Sequence, residues 1–207
     1  MTSPRPPSPS VHPLVTVRGA TVIRSMDETL IALLHDWAAS QPLLAAIVEL
    51  VAEYGIFVLP VALVVAWVRT DALSRPRQGV LAGCLAALIA FGLGLVLERT
   101  LGRPRPFIEL GFTPLIAHVA DSSFPSDHTL TGVALIGPLL WTLPRVGWWL
   151  LVWALIVGAA RVAAGLHHPS DILGSAVLAL ALDAVVWVLV IPRGLAVWTH
   201  RRPRATD

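Results

Sequence analysis

Three short polar stretches interrupt an otherwise apolar chain: ERTLGRPRPF (Glu98 to Phe107), FPSDH (Phe124 to His128) and ARVAAGLHHPSD (Ala160 to Asp171). Together they supply guanidinium groups, a serine beside a proline, histidines from two separate segments, and a carboxylate four residues beyond one of them. Arginines and the free amides of a helix N-terminus are what a phosphate oxyanion requires. His167 and Asp171 flank Pro169, a spacing that lets a carboxylate hold one imidazole nitrogen as a donor and leave the other as a lone-pair nucleophile. His128, arriving from another segment, is suited to protonate a departing oxygen, help worth about a hundred- to ten-thousandfold in rate. These residue types point to phosphate chemistry.

Each feature alone has a plainer reading. Arg99, Arg103 and Arg105 would serve as a basic collar at lipid headgroups. Pro125 and Ser126 would mark a helix start. Asp171 would be the acidic residue that a helix dipole favours in a first turn. The convergence of all of them on one face of the molecule is what singles out the functional reading.

The elements that carry these residues are membrane helices. The chain of 207 residues is 56% hydrophobic and 14% charged, with a mean hydropathy of +0.74, far from the usual globular range. Gln78 to Leu97 is free of charge and Ile172 to Pro192 carries only Asp183; each is long enough to cross a hydrocarbon core of about 30 Å. Leu43 to Val68, Leu130 to Leu143 and Val146 to Leu166 read as further spans, the second short unless it begins near Pro125. Backbone groups cannot go unpaired in lipid, so these runs should be helical. The expected fold is all-α: an integral membrane bundle of five full transmembrane helices plus a short N-terminal helix, Met26 to Ser40, lying at the interface or partly inserted. Residues 1–25 read as a disordered or weakly ordered tail, 26–194 as the membrane-embedded domain, and 195–207 as a basic cytoplasmic tail.

Parity then places the loops. Arg69, Arg75, Arg77, Arg145, Arg193, Arg201, Arg202 and Arg204 fall on one face, and Arg99, Arg103, Arg105 and Arg161 on the other. The positive-inside rule makes the first face cytoplasmic and turns the histidine-bearing face outward. The small net charge of +2 argues against a nucleic-acid partner. A single cysteine, Cys84, leaves no disulfide framework and no zinc-type cysteine pair.

The motifs resemble those of the type 2 phosphatidic acid phosphatase superfamily of integral-membrane lipid phosphatases. Its signature is a lysine, six residues and Arg-Pro; then Pro-Ser-Gly-His; then Ser-Arg, five residues, His, three residues and Asp. The third part matches at Arg161, His167 and Asp171, the second at Pro125, Ser126 and His128, the first at Arg105 and Pro106. The resemblance implies that His167 attacks phosphorus to form a phosphohistidine, that Asp171 orients it, and that His128 protonates the leaving group. It also implies that Arg105, Arg161 and Ser126 bind phosphate oxygens, with no metal and no cofactor. Glu98 stands at the lysine position, so Arg99 or Arg103 would have to replace that cation. Asp127 replaces the glycine and Ala160 the serine. PSDH and the RPRPF ending resemble the bacterial undecaprenyl pyrophosphate phosphatase branch, which implies a polyprenyl diphosphate substrate, with glycerolipid phosphates as the alternative. His168 has no place in the motif and is expected to face solvent.

Three rival readings are weaker. A metal hydrolase would use His128, His167, His168 and Asp171 as ligands, yet nearby arginines repel a cation and no HExxH-type pair exists. A non-catalytic lipid-binding protein of the same fold would be expected to have lost the nucleophile. A transporter would have only Glu49, Glu53 and Asp183 for its pathway.

Overall fold

The computed structural model describes residues 18–71 and 74–199. Among these the chain is all-helical: α1 (Arg18–Ala39), α2 (Pro42–Tyr54), a 3-10 turn (Gly55–Phe57), α3 (Val58–Val68), α4 (Arg75–Leu101), α5 (Pro106–Glu109), α6 (Asp127–Ile136), α7 (Leu139–Thr142), α8 (Pro144–Ala163) and α9 (Pro169–Thr199). Four helical segments are long and apolar enough to cross a membrane: Pro42–Val68, Arg75–Glu109, Pro144–Ala163 and Pro169–Leu189. Val61, Leu88, Trp149 and Val177 are among many large apolar side chains left exposed, as suits a surface solvated by lipid.

The run Leu130 to Leu143 differs from expectation. It starts earlier, at Asp127, and divides into α6 and α7 at Gly137 and Pro138. Pro138 has no amide hydrogen to continue the helical ladder, which is reason enough for the break. Both pieces lie inside the bundle, α6 against α3, α4, α8 and α9.

The central packing is that of α4 on α6 and α7. Gly79, Gly83, Ala86, Ala87, Ala90 and Gly94 form a buried stripe of small residues on α4. A β-carbon on Gly94 would sit 3.1 Å from Asp127 Oδ1, one on Gly83 2.1 Å from the Leu135 carbonyl oxygen, and one on Gly79 2.2 Å from Thr142 Oγ1. These contacts descend α4 as they ascend α6 and α7, so the two run antiparallel, backbone against backbone. Close approach of this kind is how helices gain van der Waals energy where lipid removes the hydrophobic drive. It also fixes Asp127 and His128 at the end of α4 that carries Glu98 to Arg105.

The N-terminal helix is longer than expected. Residues 18–25, read from sequence as tail, are the first two turns of α1; residues 1–17 lie outside the described residues. One face of α1 buries Asp27, Ile31, His35 and Ala38, at the spacing of an amphipathic helix. Those side chains pack on α2, α8 and α9, whereas the described side chains of residues 19 and 21–25 are exposed. At the other end α9 continues through Thr199, past the expected boundary at 194, and residues 200–207 lie outside the described residues.

The close contact at Gly83 yields a test. Gly83→Leu should lower thermal stability in detergent by about 1–3 kcal/mol through overpacking. Gly92→Leu, at an α4 position with nothing within 4 Å of the added carbon, should leave the melting temperature near the wild-type value. Equal melting of the two variants would contradict this packing.

Candidate active site

The turn between α8 and α9 carries His167. Gly165 adopts a φ of +82°, and a β-carbon there would lie 2.4 Å from the Phe112 ring, so both conformation and space call for glycine. The turn is closed by the Gly165 amide donating to the Val162 carbonyl at 2.9 Å and the Leu166 amide donating to the Arg161 carbonyl at 3.0 Å. Its effect is to bury His167 at the common end of the helices.

His167 Nδ1 lies 2.7 Å from the Ser123 carbonyl oxygen. A carbonyl only accepts, so Nδ1 carries the proton and the lone pair is left on Nε2. That nitrogen lies 3.4 Å from Arg105 Nη1. Burial, then the nearby Arg161 and Arg105 guanidiniums, hold the His167 pKa well below the usual histidine range, outweighing the hydrogen bond to Ser123. The side chain is thus a neutral imidazole with Nε2 turned toward cations.

Arg105 ends the α4–α5 connection, which the left-handed Gly102, φ +57°, starts. It is the N-cap residue of α5, ahead of Pro106. Its Nε donates to Asp121 Oδ1 at 2.5 Å and its Nη1 to the Leu166 carbonyl at 3.0 Å. Arg161, in the last turn of α8, donates from Nη1 to the Ala52 carbonyl at 3.2 Å. The same nitrogen is 3.5 Å from His128 Nε2, the limit of hydrogen bonding. Its Nε is buried without a hydrogen-bond partner, as is Ser123 Oγ. Two buried guanidiniums, each within electrostatic reach of the other, repel, and an anion between them would relieve both the repulsion and the orphaned donor.

Ser126 is the N-cap residue of α6 but makes no side-chain capping bond. Its amide donates to Ser175 Oγ at 2.9 Å, and its own Oγ accepts from Thr129 Oγ1 at 3.2 Å. The first-turn amides of α6, which have no carbonyl four residues back within the helix, point at this end of the bundle and add positive potential to it. Arg105 thus stands beside His167 and Arg161 beside His128, with both guanidiniums within electrostatic reach of His167, while Ser126 sits at the start of α6 with Ser175 and Thr129.

Several expectations from sequence are corrected by the geometry. Asp171 does not hold His167. It is the third residue of α9, and its Oδ2 accepts from the His168 backbone amide at 2.8 Å, the reach-back of a capping box with His168 as N-cap and Pro169 in the first turn. The same Oδ2 lies 3.2 Å from His168 Nδ1, and Oδ1 pairs with Arg103. The carboxylate is committed to closing the start of α9, and the Ser123 carbonyl takes the place expected for it. His168 is not solvent-facing: it is 2% exposed, with Nε2 3.2 Å from Glu109 Oε2. Arg103 bonds Ser170 Oγ at 2.8 Å and Asp27 Oδ2 at 2.9 Å as well as Asp171, so it serves the α1–α9 junction. Arg99 is exposed in the last turn of α4.

Sequence reasoning missed Ser123, Asp121 and His118. Ser123 acts through its backbone, which no side-chain motif reports. Asp121 binds Arg105. His118, whose Nδ1 lies 3.7 Å from Asp121 Oδ1, is held below the usual histidine range by burial and by Arg105 and Arg161, against the pull of the Val119 carbonyl. A histidine six residues before FPSDH was the available signal. Glu98 lies within reach of Asp121, Asp127 and Arg105, so the position where the motif has lysine is acidic here. Among the described residues no three His, Cys, Asp or Glu side chains are grouped to hold a metal ion.

The sequence model of the PAP2 superfamily matches residues 79–194, more than half of the chain and every residue of this constellation. The undecaprenyl-diphosphatase BcrC of Bacillus subtilis is 30% identical over 149 residues, covering 72% of this chain and 76% of the relative. The putative undecaprenyl-diphosphatase YbjG of Escherichia coli is 29% identical over 155 residues, covering 74% of this chain and 77% of the relative. The crystal structure of LpxE from Aquifex aeolicus shares the fold with a TM-score of 0.64 at 23% identity, over 77% of this chain and 93% of that one.

The tautomer of His167 is directly measurable. A lowered pKa means that the neutral form persists to lower pH, and that protonation on acidification opposes the folded site. At about pH 6.5, where an ordinary imidazole is half charged, nitrogen NMR of histidine-labelled protein in detergent should find His167 neutral with its proton on Nδ1. A half-protonated His167 signal at that pH, or a proton on Nε2, would contradict the assignment.

Proposed function

Because the chain belongs to the PAP2 superfamily and is a membrane lipid phosphatase, we propose that it removes the terminal phosphate of undecaprenyl diphosphate through a phosphohistidine. The relatives named as undecaprenyl-diphosphatases support this substrate, as does the PSDH variant of the second motif. The observation that carries the mechanism is the Nε2 lone pair of His167, presented beside Arg105, with the imidazole proton held on Nδ1 by donation to the Ser123 carbonyl.

In this reading Arg105, Arg161, Ser126 and the first amides of α6 hold the oxygens of the terminal phosphate. His167 Nε2 forms a bond to phosphorus as the bond to the bridging oxygen breaks, and undecaprenyl phosphate leaves. His128 gives its proton to that oxygen. At rest Arg161 can only donate toward His128 Nε2, so this nitrogen gains its proton when phosphate charge arrives between the two side chains. Water then attacks the phosphohistidine with His128 taking its proton, inorganic phosphate departs, and His167 returns to its neutral state. The transition state spreads charge over equatorial oxygens, and fixed guanidinium and amide donors stabilise it without reorganisation.

The family's lysine role has no simple heir. Arg103 is held by Asp27 and Asp171, so Arg99 is the remaining cation for a second phosphate at the rim, where it meets the charge of a diphosphate better than that of a monoester. We read α6 and α7 together as a fifth crossing, which places the phosphate site and α1 at one membrane face. The arginine distribution supports reading that face as the outer one.

Phosphate release by purified protein from undecaprenyl diphosphate and from phosphatidic acid, each with and without a strong chelator, tests the proposal. The diphosphate should be preferred by at least about tenfold, a margin of roughly 1.4 kcal/mol, with no effect of chelator. His167→Ala should abolish turnover and the acid-labile phosphoenzyme. His128→Ala should lower turnover by about a hundred- to ten-thousandfold for poor leaving groups and less for activated esters. A His167→Ala variant that still turns over would refute the mechanism, and faster hydrolysis of phosphatidic acid would refute the substrate.

A further inference from the structure

His168 is unused by the mechanism above, yet it is among the largest fully enclosed side chains in the protein. Its surroundings are ionic. Nδ1 lies 3.2 Å from Asp171 Oδ2 and Nε2 lies 3.2 Å from Glu109 Oε2, so the ring is spanned by two carboxylates on different helices. Ionised carboxylates only accept, and a ring that satisfies both donates from both nitrogens. The backbone amide of the same residue donates to Asp171 Oδ2 at 2.8 Å. His168 is thereby fixed at three points, and its amide belongs to the peptide unit that starts at the His167 carbonyl.

Each carboxylate is in turn held from elsewhere. Glu109 Oε1 pairs with Arg24 of α1, which is braced by Glu28 at 3.0 Å. Asp171 Oδ1 pairs with Arg103, which reaches Asp27 of α1 at 2.9 Å. Asp27 also accepts from the Ser170 amide at 3.0 Å and the Ser170 hydroxyl at 2.5 Å. One turn of α1 thus grips α5 through Arg24 and the start of α9 through Asp27, with His168 as the member between them. His167, by contrast, has a single firm anchor of its own, the Ser123 carbonyl.

We propose that His168 is a positioning residue for His167, and that through Glu109 and Arg24 it makes the docking of α1 part of what aims the nucleophile. The inference rests on the reading of His167 as nucleophile. Swinging of the His167–His168 peptide would move Nε2 off line with phosphorus, and misplacement of about 1 Å is worth about a hundredfold in rate.

The test uses the full chain in detergent and whichever lipid, undecaprenyl diphosphate or phosphatidic acid, the wild type hydrolyses faster. His168→Ala should lower kcat by about thirtyfold with KM within twofold of wild type, as expected when aim rather than binding is lost. His168→Asn, whose amide nitrogen reproduces the Nδ1 donor toward Asp171, should recover most of that loss. Glu109→Ala should lower kcat by about fivefold and Arg24→Ala by about threefold, and neither loss should multiply with that of His168→Ala if the residues act as one chain. Should His168→Ala not fold, His168→Asn combined with Glu109→Ala reads the same coupling.

His168→Ala with wild-type kcat, or a loss carried by KM alone, would overturn the proposal. Multiplicative losses for His168 and Glu109 would overturn the link to α1. His167→Ala, run in parallel, separates the two readings: if it keeps turnover, the phosphohistidine mechanism fails whatever His168 does.

Discussion

The hydrogen bond from His167 Nδ1 to the Ser123 carbonyl is the contact on which the rest of this site depends. It settles which imidazole nitrogen keeps the proton, and so which one has electrons to offer. For the bond to exist, the loop leading into α6 must lie against the turn between α8 and α9. That loop is tied at its other side by the Ser123 amide, which donates to the Arg103 carbonyl at 2.8 Å. Three segments distant in sequence are joined by two peptide groups of one buried serine.

Around that contact the protein assembles positive charge where burial disfavours it. Arg105 and Arg161 are 4% and 6% exposed, and their partners are a carboxylate and backbone carbonyls rather than a full set of counterions. Burial of ions is unfavourable unless each donor finds a partner, and the orphaned Nε of Arg161 is a donor awaiting one. In the proposed reading, a phosphate would supply the missing charge and acceptors together. The site is therefore most complete when occupied, and fixed donors spare a phosphatase reorganisation during the reaction.

The scaffold explains how such a site is held at the end of a lipid-solvated bundle. Small residues along α4 let α6 and α7 approach to backbone contact, which sets the depth of the α6 N-terminus relative to Arg105. The ionic seam of Arg24, Asp27, Arg103, Glu109, His168 and Asp171 then fastens α1 across the same end. Apolar packing sets the positions of the helices, and paired charges close their ends.

Much of this was legible in the residues themselves. Unbroken apolar runs dictate membrane helices because lipid offers the backbone no other partner. The residue types of the three polar stretches, taken together rather than singly, point to phosphate chemistry. HPSD is also a helix-start pattern, and local chain geometry turned Asp171 back to the His168 amide instead of toward His167. Spacing along a sequence states which groups are within reach, whereas the turn at Gly165 and the entry into α9 choose between them. The diversion of Arg103 to Asp27 likewise came from contact between distant segments. So did the Ser123 carbonyl, since every residue has a carbonyl and only the folded chain selects the one that meets an imidazole.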